Sequence, residues 1–161
     1  MTKKWLDHVL NQHHTEAYLW ARQCCGFDDE AAKDVLQMVY LKILEGKAKY
    51  NQKAEVKTWI FSVIRNTAID HRKSMKILYP LDMVKTKAEE KDMTEYEDYQ
   101  ATIQKLPERQ RQVILLVFYH GRTLEEAAGI LELGIGTVRT HYDRGKKALK
   151  ELILKTTKDG Y

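Results

Sequence analysis

At 161 residues, with 43% hydrophobic and 31% charged side chains, the chain has apolar material for one ordinary domain or two small ones, under a strongly polar surface. Its formal net charge of +4 permits nucleic-acid binding without requiring it. No apolar run approaches the roughly 20 residues of a membrane span, and the start, Met1-Thr2-Lys3-Lys4-Trp5, leads into no apolar signal core, so no membrane insertion and a cytoplasmic location are expected.

Charge is spread unevenly. Residues 1–80 carry 13 Lys and Arg against 9 Asp and Glu, residues 81–100 carry 3 against 7, and residues 101–161 carry 11 against 7. Two basic modules therefore flank an acidic connector whose first half has no sustained apolar stripe. The expected architecture is all-α: a helical domain over 1–80, a flexible acidic linker over 81–100 and a second helical domain over 101–161.

In the first module the pattern predicts a helix from Thr15 to Arg22, broken by Gly26. The adjacent Cys24 and Cys25 exclude a disulfide framework and read as two free thiols. Asp28 or Asp29 caps a second helix carrying Val35, Leu36, Val39, Leu41, Ile43 and Leu44, which stops at Gly46. A polar loop, Lys47 to Glu55, precedes a third helix from Val56 to Met75. Trp59, Ile60, Val63, Ile64, Thr67 and Ala68 recur along it at three- and four-residue spacing, while its other face and its end carry Arg65, Asn66, His71, Arg72, Lys73 and Lys76.

In the second module Pro107 opens a helix over Glu108–Tyr119, ended by Gly121. Thr123 and Glu126 form a capping box for the next helix. The tight turn Glu132-Leu133-Gly134 then leads to a last helix over Ile135–Lys155, bearing Arg139, Thr140, His141, Arg144, Lys146 and Lys147. A helix pair joined by a three-residue turn, with a basic second helix, is a helix-turn-helix pattern, although plain bundles use the same apolar spacing. His13 and His14 are adjacent and point apart on a helix, no cluster has metal-ligand spacing, and no glycine-rich phosphate loop precedes a helix. No catalytic residue, metal or cofactor is expected.

Both modules, in this order, resemble bacterial RNA polymerase sigma factors of the sigma-70 family, in the compact extracytoplasmic-function group. Val56 to Arg72 resembles the promoter-melting helix of the sigma-two domain, and Asp34-Val-Leu-Gln37 the segment that docks on the polymerase clamp helices. Leu106 to Arg111, Thr123 to Ala128 and Gly136 to Thr140 resemble the sigma-four domain.

The resemblance implies a non-enzymatic transcription initiation factor that binds core RNA polymerase, directs it to promoters and helps melt them. Its partners would be the clamp helices of the largest subunit, the flap of the second-largest subunit, promoter DNA and an anti-sigma factor. Asp34, Gln37, Met38 and Leu41 would meet the polymerase. The loop Tyr50, Asn51, Gln52, Lys53 and Ala54 would take a flipped base of the minus-ten element. Asn66 would read a base edge, and Arg65, Arg72 and Lys73 would meet phosphates. Trp59 would either stack on a base or belong to the core. Thr123, Gly136, Thr137, Arg139, Thr140, Asp143, Arg144 and Lys146 would meet the minus-thirty-five element. The acidic linker would either follow the RNA path or act as a solvated tether.

Four departures from the family stand out. Lys33 replaces an acidic residue, Glu132 stands where glycine is usual, in a turn that needs a left-handed residue, and Gly134 stands where a serine cap is usual, glycine still being a tolerable cap. Gly145 stands where alanine is usual, so Gly145→Ala is expected to stabilise the last helix by about 1 kcal/mol. Two rival readings use the same residues: a regulator that binds duplex DNA alone through residues 106–155, and a structural helical protein.

Overall fold

The computed structural model describes residues 2–79 and 95–159, with only the backbone described at 95–98 and 156–159. Contacts divide the chain into two compact units, whose main segments are residues 1–87 and residues 88–128 with 132–161. Among the described residues there are helices and no strand, and no helix is long and apolar enough to cross a membrane.

The first unit contains α1 (Lys3–Cys24), α2 (Asp29–Leu44) and α3 (Val56–Leu78), each packed on the other two. Helix α1 starts twelve residues before the expected Thr15. Its apolar positions Leu6, Val9, Leu10, Ala17, Trp20 and Ala21 are buried, and the Thr2 hydroxyl accepts the Trp5 amide at 3.2 Å as the cap. The polar run Asn11-Gln12-His13-His14 hides that stripe in the sequence, but it occupies the solvent side of a continuous helix. Gly26 and Phe27, with φ of 64° and 63°, end α1, and the Phe27 amide returns to the Arg22 carbonyl at 2.8 Å. Asp28 is the cap of α2, accepting the amides of Glu30 and Ala31.

Trp20 centres this unit. It is fully buried, its ring stacks on Phe61 at 5.7 Å and 6°, and its indole N–H donates to the Phe61 carbonyl at 3.0 Å. That bond removes the penalty a buried indole donor otherwise carries, about 1–3 kcal/mol.

The second unit contains α4 (Glu95–Gln104), α5 (Glu108–Ile114) continuing into a π turn over Leu115–Tyr119, α6 (Leu124–Leu131) and α7 (Ile135–Asp159). Helix α4 begins inside the segment expected to be linker. Its first turn gathers Glu95, Glu97 and Asp98, where the helix dipole favours negative charge, so the acidic composition supports a helix there. Residues 81–94 of the expected linker lie outside the described residues. The π turn is closed by the His120 amide on the Leu115 carbonyl at 3.1 Å, and it leaves Leu115 and Leu116 buried with Phe118 exposed. Helices α5 and α7 pack together around Val113, Ile114 and Val138.

Candidate nucleic-acid interface

In the first unit the loop ahead of α3 is short of burial but tied in place. Asn51, Gln52, Lys53 and Ala54 are exposed. The Tyr50 phenol donates to the Ala54 carbonyl, closing the loop on itself. The Asn51 side chain accepts the Lys53 amide at 3.0 Å, which makes a local turn and lets Gln52 adopt a left-handed φ of 65°. Half-exposed Tyr50 lies against Trp59, with ring centroids 5.1 Å apart, and against Trp5 at 6.0 Å and 11°. Trp59 is therefore neither a sealed core residue nor a free platform. It is a partly covered ring at the edge of the loop.

Along α3, Asn66 is half-exposed, while Arg72 and Lys73 are exposed. Arg65 overturns its expected role as a phosphate contact, because it is only 8% exposed. It lies four residues after Phe61 and three before Ala68, both buried, so the helical repeat turns it inward. The pattern failed there because Arg65 sits at the edge of the apolar stripe, where charge alone suggests the solvent side.

On α2, Asp34, Gln37 and Leu41 are exposed and Met38 is half-exposed. Leu44, which the sequence pattern placed only among the apolar positions of this helix, extends the stripe: Leu41 is 50% and Leu44 46% exposed, one turn apart. Asp34 also approaches His71 of α3, with 4.0 Å between carboxylate and Nε2. Below this face, burial pushes the Cys25 thiol up to about 11, with Asp28 and Asp34 adding to the rise and Arg72 opposing it.

In the second unit Thr123 is the cap of α6. Its hydroxyl accepts the Glu126 amide at 3.0 Å, and its own amide donates to the Glu126 carboxylate at 3.0 Å. Arg122 pairs with the same carboxylate at 2.9 Å. Glu132 takes the left-handed conformation expected of the turn, φ 56° and ψ 44°, and the Leu133 amide closes on the Ala128 carbonyl at 3.0 Å. Helix α7 follows, with Gly134 accepting the Val138 amide at 3.1 Å.

Gly136, Thr137, Arg139, Thr140, Asp143, Arg144 and Lys146 are all exposed, whereas Val138 and Gly145 are buried. The expected DNA-facing residues thus share the surface of one helix. Two of them have internal engagements: the Thr140 hydroxyl donates to the Gly136 carbonyl at 3.1 Å, and the Lys146 ammonium sits 4.3 Å over the Tyr142 ring. Gly145 overturns the expectation that alanine would be better there. A Cβ would stand 2.9 Å from Ile114 Cγ1, so the glycine permits close packing of α7 on α5.

A three-helix unit and a unit carrying a helix-turn-helix with a basic, exposed second helix define a modular DNA-binding protein. The sequence matches the Sigma-70 region 2 family over residues 9–76 and the Sigma-70, region 4 family over residues 96–149. It is 28% identical to the ECF RNA polymerase sigma factor EcfG of Rhodopseudomonas palustris, over 77% of this chain and 72% of that one. It is 28% identical to the RNA polymerase sigma factor SigZ of Bacillus subtilis, over 78% and 74%. The fold is similar to that of the Bartonella quintana sigma factor RpoE, solved with the anti-sigma factor NepR: the TM-score is 0.78 at 22% identity, covering 94% of this chain and 98% of that one. The chain belongs to the sigma-70 family of RNA polymerase sigma factors, in its extracytoplasmic-function group, and is a transcription initiation factor acting with RNA polymerase.

Proposed function

We propose that residues 1–80 bind core RNA polymerase and open the minus-ten element, that residues 81–100 connect, and that residues 101–161 read the minus-thirty-five element. The observation that carries this reading is the turn at Glu132, which sets α7 so that Arg139, Thr140, Asp143 and Arg144 are all exposed on the helix expected to enter the major groove. Arginine pairs in bidentate fashion with guanine, which makes Arg139 the base reader, while Arg144 and Lys146 hold phosphates.

The tied and exposed loop over 50–54 supports its role as receptor for an unstacked base. Capture offsets an unstacking cost of a few kcal/mol. Asn66, half-exposed on α3, reads a base edge with an amide that both donates and accepts. Arg72 and Lys73 continue the basic end of α3 toward the backbone. The α2 stripe of Asp34, Gln37, Met38, Leu41 and Leu44, polar at one end and apolar at the other, suits the polymerase clamp helices, and the second unit meets the flap. The protein works in the cytoplasm, and an anti-sigma protein restrains it, as one is bound to the Bartonella quintana relative. It catalyses no bond chemistry.

Permanganate footprinting of a promoter bound by core enzyme with this protein tests the melting role. Asn66→Ala should leave core binding near normal and weaken thymine reactivity in the opened region, at a cost of about 1–3 kcal/mol. A wild-type footprint would remove Asn66 from the reading site.

A further inference from the structure

We propose that Trp5 is a positioning residue for minus-ten recognition, acting through Tyr50; this rests on the reading of the 50–54 loop as the receptor for an unstacked base. The loop itself has little to hold it. Asn51 to Ala54 are exposed, and Gln52 occupies a strained left-handed φ of 65°. Inside it the Asn51 side chain accepts the Lys53 amide, and its two ends are joined by Tyr50, whose phenol donates to the Ala54 carbonyl at the far end of the loop.

Tyr50 in turn has ring contacts with two tryptophans that belong to helices. Trp59 of α3 lies 5.1 Å away at 34°, and Trp5 of α1 lies 6.0 Å away at 11°. Helices α1 and α3 pack on each other, so both indoles are carried on elements fixed relative to one another. The first turn of α1 is held by the Thr2 cap on the Trp5 amide, which keeps the outer indole in register. Without Trp5, the Tyr50 ring keeps one neighbour and can swing away from α1, and its bond to Ala54 goes with it. The base reader would then lose its preformed shape and spend binding energy on ordering the loop.

The test uses the full chain with core polymerase and promoters differing at one minus-ten base, reading the ratio of open complexes formed on the preferred and unpreferred templates. Trp5→Ala should lower that ratio roughly two- to tenfold, the range of an aromatic pair, and Trp5→Phe should restore most of it. Tyr50→Leu, which alters the loop directly, should lower the ratio at least as far. Helical circular dichroism of each variant fixes the temperature at which all are folded. If Tyr50→Leu lowers the ratio and folded Trp5→Ala does not, Trp5 has no positioning role and the proposal is overturned. If neither moves it, the loop is not the base reader, and the proposal falls with that reading. If Trp5→Ala lowers open-complex yield equally on both templates, its effect is on general stability and the proposal is again overturned.

Discussion

Substituting Gly145 separates helix propensity from packing, because the two act in opposite directions at this position. Alanine in mid-helix is better than glycine by about 1 kcal/mol. Against that, a Cβ at 145 would lie 2.9 Å from Ile114 Cγ1, 3.3 Å from its Cδ1 and 3.4 Å from Gln110 Cβ. Carbon atoms rest at about 3.5–4.0 Å. Ile114 is 2% exposed, so it cannot relax by moving out into solvent. Overpacking of this kind costs about 1–3 kcal/mol, which leaves Gly145→Ala destabilising by roughly 0–2 kcal/mol. Ile114→Ala removes both crowding atoms at a cavity cost of about 2–5 kcal/mol. In that background the added methyl enters vacated space, and Gly145→Ala should become stabilising by about 1 kcal/mol or more. The coupling between the two sites is then about 1–3 kcal/mol. Urea unfolding followed by circular dichroism measures it. All three tryptophans, Trp5, Trp20 and Trp59, lie in the first unit, so tryptophan fluorescence follows that unit separately. A gain in stability from Gly145→Ala in the wild-type background, or the same effect in both backgrounds, would refute the packing argument.

Other outcomes follow from the same geometry. Glu132→Gly should relieve about 1–2 kcal/mol of left-handed strain and add about 0.5–1 kcal/mol of chain entropy, giving a net gain near 0.5 kcal/mol in the circular dichroism transition; a loss would mean that the Glu132 side chain holds the turn. Asp34→Lys should weaken core polymerase binding in a pull-down titration, while His71→Ala, which removes the partner 4.0 Å from Asp34 and leaves the carboxylate in place, should not; equal losses would assign the effect to the α2–α3 pairing. Burial raises the Tyr40 phenol to about 12 from an ordinary 10, so the unfolded chain gives up that proton first and stability should fall as pH rises from 10 to 12. Tyr40→Phe should flatten that decline in urea midpoints, and an unchanged slope would exclude Tyr40 as its source. With its thiol pushed up to about 11, Cys25 should be on the order of one part in a thousand thiolate at pH 8 and alkylate slowly in the folded protein; fast labelling confirmed by peptide mapping would show that the site opens.

The parts of the fold legible in the sequence are those set by local chemistry. The Thr123–Glu126 capping box, the choice of Asp28 or Asp29 as the α2 cap and the helix break at Gly26 each need only a few consecutive residues; the capping box is present, Asp28 is the cap, and Gly26 breaks the helix by taking a left-handed φ of 64°. The apolar spacing of α2 and α3 was equally direct. What escaped depends on neighbours far along the chain. Trp5 meets Tyr50 across 45 positions, and neither residue type signals the other. Gly145 reads as a helix defect until Ile114 is placed against it. Arg65 lies at the border of a stripe, where a turn of a few tens of degrees decides between solvent and interior. The start of α1 was lost because its polar residues outnumber Leu6, Val9 and Leu10 locally, and only packing against α2 and α3 shows that those three suffice.

The central claim is that this chain, added to core RNA polymerase, starts transcription at chosen sites. The direct measurement is in vitro transcription from a genomic fragment library with purified core enzyme and this protein alone, followed by mapping of the RNA 5′ ends. Discrete start sites that share a minus-ten and a minus-thirty-five element, and that move to altered minus-thirty-five sequences with Arg139→Ala, are the expected result. Start sites no different from those of core enzyme alone, or transcription only when another sigma factor is supplied, would contradict it.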